Sequence, residues 1–211
     1  MLELVLVRHG QTDYSRENRF CGSIDPPLNA TGMQMAEAFG AVYAAVPWTA
    51  IYASPRLRTQ QTAEALTRRV GATVTTEAGL AEIAYGEWEG LRHDEVQTKC
   101  PEQYAYWTAD VASRGTPGGE TAFAVAARAA PVLEQIRSRH TEGRVLIVSH
   151  KATIRILVCA LLGIDVRLFR DRLSQGVASV TRFEIKKSGA QLIQLGDVSH
   201  LPAELRGIEG T

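Results

Sequence analysis

The sequence has few cysteines, no long apolar run and no excess of charge of either sign. Its three cysteines, Cys21, Cys100 and Cys159, are an odd number without metal-ligand spacing, which argues against a disulfide framework. Lys+Arg 23 balance Asp+Glu 23. No global field therefore draws nucleic acid or an anionic membrane, and any anion site must be a local concentration of cations. No apolar stretch approaches the roughly 20 residues of a membrane-spanning helix. Met1-Leu2-Glu3 lacks the basic region and apolar core of a secretory signal. A soluble protein in a reducing, cytoplasmic setting is the expectation from these absences. There is also no internal repeat and no low-complexity linker, so the 211 residues read as a single domain with a sizeable core.

What is present is an alternation of strand and helix patterns. Leu4-Val5-Leu6-Val7 and Val145-Leu146-Ile147-Val148-Ser149 are apolar runs of the kind that form buried strands. Ala50-Ile51-Tyr52-Ala53 is a shorter one, Thr73-Val74-Thr75 an edge-like candidate, and two closing strands fall near 177–185 and 191–196, turned at Lys187-Ser188-Gly189. Helices are predicted over about 32–46, capped by Asn29 or Thr31, over about 121–140 and over 152–162, with a further one opening at Ser54-Pro55, Ser54 as its N-cap and Pro55 at the first helical position. The expected fold is a three-layer α/β/α sandwich with a mostly parallel central sheet and an antiparallel edge. Residues 82–120, rich in aromatics (Tyr85, Trp88, Tyr104, Tyr106, Trp107), form a small helical and loop cap in this reading.

Chemistry concentrates at strand ends, where open α/β sheets bind ligands. The first run ends in Arg8-His9-Gly10 and the later one in Ser149-His150. A guanidinium binds phosphate or carboxylate through two parallel hydrogen bonds. A histidine beside it is a candidate nucleophile, base or donor. Arg58, or Arg56 in the same turn, adds a cation near the start of the helix after Ser54-Pro55, and helix N-termini favour anions. Glu82 lies among apolar and aromatic residues that would raise its pKa and suit it as an acid. Glu87 and Glu89 read as surface or loop-bracing groups.

An ordered set of motifs resembles the histidine phosphatase, or phosphoglycerate mutase-like, superfamily: Leu6-Val7-Arg8-His9-Gly10-Gln11-Thr12, Gly22-Ser23-Ile24-Asp25-Pro26-Pro27-Leu28, Ser54-Pro55-Arg56-Leu57-Arg58-Thr59, Glu82-Ile83 with Gly86-Glu87-Trp88-Glu89-Gly90, Gly118-Gly119-Glu120 and Val148-Ser149-His150. The resemblance implies that His9 is the nucleophile and carries a transient phosphoryl group. Arg8, Arg58 and His150 would form the phosphate pocket and Glu82 would be the general acid. No metal and no cofactor are implied, because the arginines and histidines neutralise the phosphate. The chain departs from many members at Ser15, where asparagine is common, and at Cys21, where glutamine is. Ser15 still has a hydroxyl to offer phosphate.

The stretch 82–90 is similar to the phosphatase branch, and the stretches 149–155 and 196–205 to metal-independent phosphoserine phosphatases of cyanobacterial type. L-Phosphoserine is therefore the expected substrate. α-Ribazole phosphate or a broad range of small phosphoesters are alternatives, mutase chemistry a further one, and a non-catalytic docking protein a hypothesis of another class. Cys21, Gly22, Glu87, His93, Lys151 and His200 are candidates for contact with the rest of the substrate. The first reading of Lys151 is a helix-start residue with its side chain in solvent, and the alternative is a cation near a substrate carboxylate. The partners expected are a small phosphorylated metabolite and, as is common in proteins of this type, a second copy in a homodimer, with no nucleic acid and no membrane.

Overall fold

Strand β1 (Leu2–Arg8) is apolar on both faces because it lies in the interior of a sheet covered on both faces. The computed structural model describes residues 1–208 and 210. In it β1 pairs in parallel with β4 (Gly143–Ser149) and antiparallel with β5 (Val180–Lys186). With β2 (Ala50–Ala53), β3 (Thr75–Thr76) and β6 (Gly189–Asp197) the sheet has six strands in the order β3-β2-β4-β1-β5-β6. The first four are mutually parallel; β5 and β6 form the antiparallel edge.

Side chains alternate between the faces of a strand, and here each face has its own core. Leu4, Leu6, Val145 and Ile147 pack against α6 (Ala122–Arg139) and α7 (Lys151–Leu162). Val5, Val7, Leu146 and Val148 pack against α2 (Ala30–Tyr43) and α3 (Leu57–Val70). The expected three-layer sandwich is the observed one. Among the described residues no helix is long and apolar enough to cross a membrane.

The loop after β1 holds the short α1 (Asp13–Arg16) and then crosses to α2. Gly10 and Gly32 let these segments touch: a Cβ on Gly10 would lie 2.5 Å from the Gly32 carbonyl oxygen. The stretch from 82 to 120 contains a single 3-10 turn (Gly86–Trp88), α4 (His93–Lys99) and α5 (Pro101–Ala109). Its aromatics do not stand alone. Trp88, Val96 and Trp107 share a buried cluster with Phe20 of the β1–α2 loop.

Three local expectations are corrected. Ser54 does not cap α3, which begins at Leu57 with Arg56 in the cap position and no side-chain cap. The Ser54 hydroxyl meets His150 Nε2 at 2.7 Å and accepts from Arg56 N at 3.3 Å. The third strand is two residues long and lies at Thr75–Thr76 rather than 73–75. The second helix ends at Tyr43, three residues short of Val46; its cap is Asn29, whose side chain accepts from Gly32 N.

Candidate active site

The parallel register places Arg8 opposite Ser149, so the residues that follow, His9 and His150, leave adjacent strands side by side. Their rings meet edge to face with centroids 5.2 Å apart. A cavity of about 400 Å³ opens at this end of the sheet, lined by Arg8, His9, Ser15, Cys21, Arg58 and Glu82, with the aromatic 82–120 segment on its far wall.

Both histidines are held neutral with opposite tautomers. His9 Nδ1 lies 2.7 Å from the Gly10 carbonyl oxygen. A carbonyl only accepts, so Nδ1 donates and Nε2 keeps its lone pair. Burial, reinforced by Arg58 and Arg8, holds His9 well below the usual histidine range. The Arg58 Nε donates to His150 Nδ1 at 3.3 Å, so the hydrogen of His150 is on Nε2 and goes to Ser54 Oγ. Burial, then Arg58, likewise depresses the pKa of His150. His150 is wholly enclosed and lies behind His9 and Arg58 rather than on the cavity wall.

Arg8 and Arg58 are each 1% exposed. Arg8 Nη1 donates to the carbonyls of Gln175 and Gly210, both at 2.9 Å. Burial lowers the pKa of Arg8 to about 10, against the pull of Glu82, so it remains a cation at neutral pH. Arg58 donates to the carbonyls of Ile24, Cys21 and Gly22 and lies 3.7 Å from Asp25.

Glu82 is buried, and its carboxylate is held by hydrogen-bond donors that its sequence neighbourhood does not reveal. Its carboxylate accepts from Ile83 N, from Ala152 N and Thr153 N in the first turn of α7, and from the Thr153 hydroxyl, at 2.9 to 3.2 Å. The signal was present in the sequence as a helix beginning just after His150, but pairing that helix with Glu82 needs the tertiary fold.

The remaining candidates separate by position. Ser15 lines the cavity, and its hydroxyl also closes a capping box with Thr12 at the start of α1. Cys21 lines it too; burial pushes its thiol up to about 11, so it stays protonated. His93 lies on the wall stacked against Phe20, ring centroids 4.0 Å apart, and burial followed by Arg170 and Lys151 brings it down to about 4. Lys151 is half-buried on the wall, not in solvent.

Gly22, Glu87 and His200 do not line the cavity. Gly22 is a point of close approach: a Cβ there would sit 1.9 Å from the Ile83 carbonyl oxygen, and its N–H donates to both oxygens of Glu89. Glu87 is exposed, because the 3-10 turn that buries Trp88 directs its neighbour outward. His200 packs edge-on against Phe39 and Tyr43 of α2. Its neighbours carried the sequence likeness, but the chain after β6 first packs His200 and Leu201 on the α2 side, and it reaches the strand ends only further on, where Gly210 accepts from Arg8. Sequence reasoning in turn missed Arg155 and Arg170, both on the cavity wall. Arg155 is four residues after Lys151 on one helix, a spacing that points to the same face; nothing in the sequence points to Arg170.

A mostly parallel sheet covered by helices, with two buried arginines and two buried neutral histidines at its strand ends, defines an α/β protein with an anion pocket. Comparison with known proteins agrees. Residues 4–198 match the histidine phosphatase superfamily (branch 1). The chain is 33% identical over 169 residues to Phosphoserine phosphatase 1 of Hydrogenobacter thermophilus, covering 80% of each protein. It is 34% identical over 171 residues to the glucosyl-3-phosphoglycerate phosphatase of Mycolicibacterium vanbaalenii, covering 77% of this chain and 75% of that one. Among solved structures it is similar to Bacillus stearothermophilus YhfR, with a TM-score of 0.88 and 30% identity over 95% of this chain and 99% of that one. The chain belongs to the histidine phosphatase superfamily and is a phosphatase of that type.

Proposed function

We propose that this chain hydrolyses small phosphomonoesters in two steps through a phosphoryl group carried on His9. The observation that carries the reading is the state of His9: neutral, with Nδ1 tied to Gly10 and Nε2 unprotonated beside two buried guanidinium groups. In the first step Nε2 attacks phosphorus, the ester P–O bond breaks, and the leaving alkoxide takes a proton from Glu82. In the second, Glu82 takes a proton from water, the oxygen attacks phosphorus, and the P–N bond breaks with its electron pair returning to Nε2. Splitting the transfer replaces one difficult displacement by two easier ones. Arg8 and Arg58 neutralise charge on the equatorial oxygens, which is most of what phosphoryl transfer asks of a protein. His150 acts from behind, fixing Arg58 through its Nδ1.

Hydrolysis of p-nitrophenyl phosphate that persists in EDTA is the expected result. It should be accompanied by an acid-labile phosphoryl label that is present in wild type and missing from His9→Ala. Activity that disappears with the chelator would sink the metal-free route.

L-Phosphoserine is the proposed physiological substrate. The likeness to Phosphoserine phosphatase 1 supports it, as does a cavity wall carrying Lys151 and His93. A panel of phosphoserine, α-ribazole phosphate and 3-phosphoglycerate tests it, and phosphoserine should give the highest kcat/KM. A higher value for either competitor overturns the assignment without touching the two-step chemistry.

A further inference from the structure

The cavity has a second cationic wall that the proposed phosphoryl transfer does not use. Lys151 and Arg155 lie one turn apart on α7, and Arg170 comes from α8 (Phe169–Arg172). All three line the same cavity as His9. Among the described residues none of them forms an ion pair or a side-chain hydrogen bond. The Arg155 Nε is enclosed by protein and has no hydrogen-bond partner. The Arg170 guanidinium is braced 5.0 Å from the centroid of the Trp107 ring.

The three cations also repel one another. Burial, then Arg8, Arg155 and Arg170, bring Lys151 down to about 8. Burial and Arg170 likewise depress Arg155. Glu82 pulls in the opposite direction on both, but its oxygens are already engaged by Ile83, Ala152 and Thr153. Asp171 faces Arg155 weakly from α8. Like charges gathered around a cavity, with a buried donor unpaired, lack an anionic guest.

We propose that Lys151, Arg155 and Arg170 form a second anion subsite, which takes a carboxylate of the substrate and restricts the enzyme to phosphorylated acids. The subsite rests on the phosphatase reading above. Its position fits a small acid. Lys151 follows His150, whose ring touches that of His9, and Arg155 is one helical turn, about 5.4 Å, further along the axis. Phosphate and carboxylate are then separated by a spacer of a few carbon atoms. A guanidinium supplies the paired donors that a carboxylate accepts.

The test uses two pairs of esters that differ in one carboxylate: O-phospho-L-serine against O-phosphoethanolamine, and 3-phosphoglycerate against glycerol 3-phosphate. In wild type kcat/KM should favour the acid of each pair at least tenfold. In Arg155→Ala and in Arg170→Ala that ratio should fall toward one, mainly through KM. Arg155→Lys should restore part of it, which a purely structural role would not produce. Titrating the same four esters into His9→Ala protein reads the ratio as Kd without turnover. A wild-type protein inactive on p-nitrophenyl phosphate would therefore sink the phosphatase reading while the subsite is still measured. A wild-type ratio near one, or a ratio kept by both alanine variants in either readout, overturns the subsite.

Discussion

His9 is useful as a nucleophile only while its ring is neutral and its Nε2 is bare. Both conditions come from position, through burial between two arginines and a carbonyl 2.7 Å from Nδ1. His9→Ala should lower turnover by about 10⁴-fold or more, as removal of a nucleophile does elsewhere; steady-state rates on p-nitrophenyl phosphate check this, and retained activity would remove His9 from the role. Glu82→Gln should slow alkyl phosphates by about 10² to 10⁴-fold. p-Nitrophenyl phosphate should suffer much less, since its leaving group needs no proton. Equal losses on the two substrates would show that Glu82 transfers no proton to the leaving group. At this scale the residue types were legible in the sequence as pairs at strand ends. Their tautomers and the four hydrogen bonds of Glu82 were not, because they depend on Ser54, Thr153 and Gly10 meeting across the fold.

Elements matter here through the loops they hold. Glu89, half-buried, accepts from Gly22 N, Ser23 N, Ile24 N and Tyr85 N. The carbonyls of Gly22 and Ile24 in turn receive Arg58. One carboxylate thus organises the loop that fixes a phosphate-pocket arginine. Glu89→Ala should leave these N–H groups without a partner, loosen Arg58 and raise KM for every phosphoester by about tenfold, roughly the cost of one misplaced charged hydrogen bond. A kinetic comparison across several esters checks it; a loss confined to one substrate would contradict a general role. Ser54 shows the limit of local rules. Ser-Pro before a helical pattern is a sound cap signal, but a buried histidine at the end of the neighbouring strand β4 binds the hydroxyl, which also receives Arg56 N, and α3 starts without a side-chain cap. The bracing role of Glu89 was legible as a type, whereas its four partners were not.

Among the described residues four histidines, three of them buried and His93 half-buried, are held in the neutral form. His93 and His200 are brought down to about 4 by burial, and His9 and His150 are also well below the ordinary value. The unfolded chain takes up these protons near pH 6.5, while the folded chain does not. Stability is therefore complete above about 6.5 and is lost as pH falls from there toward about 4. Tm by circular dichroism should drop across that window, and His200→Gln should flatten part of the slope; a pH-independent Tm would refute the account. Inorganic phosphate or vanadate, bound only by the folded pocket, should raise Tm by an amount corresponding to about 2.7 kcal/mol at 100 times Kd. The core makes the opposite prediction about ligand. Leu6→Ala, at a fully buried central-strand position, should cost about 2–5 kcal/mol and lower Tm with or without phosphate.

The sequence by itself determined the layers and the pocket's ingredients. Apolar runs without polar interruption require strands covered on both faces, and such strands in a mostly parallel sheet deliver Arg8, His9 and His150 to one end. These are short-range signals, written in consecutive residues. Only the tertiary structure decided which candidates meet. It set Gly22 against Ile83 as a packing contact, turned Glu87 outward, and carried His200 to α2. It brought Arg170 from a four-residue helix to the cavity wall beside Lys151 and Arg155. Side-chain direction and the return path of a loop follow from packing between segments far apart in the chain, and no local pattern encodes them.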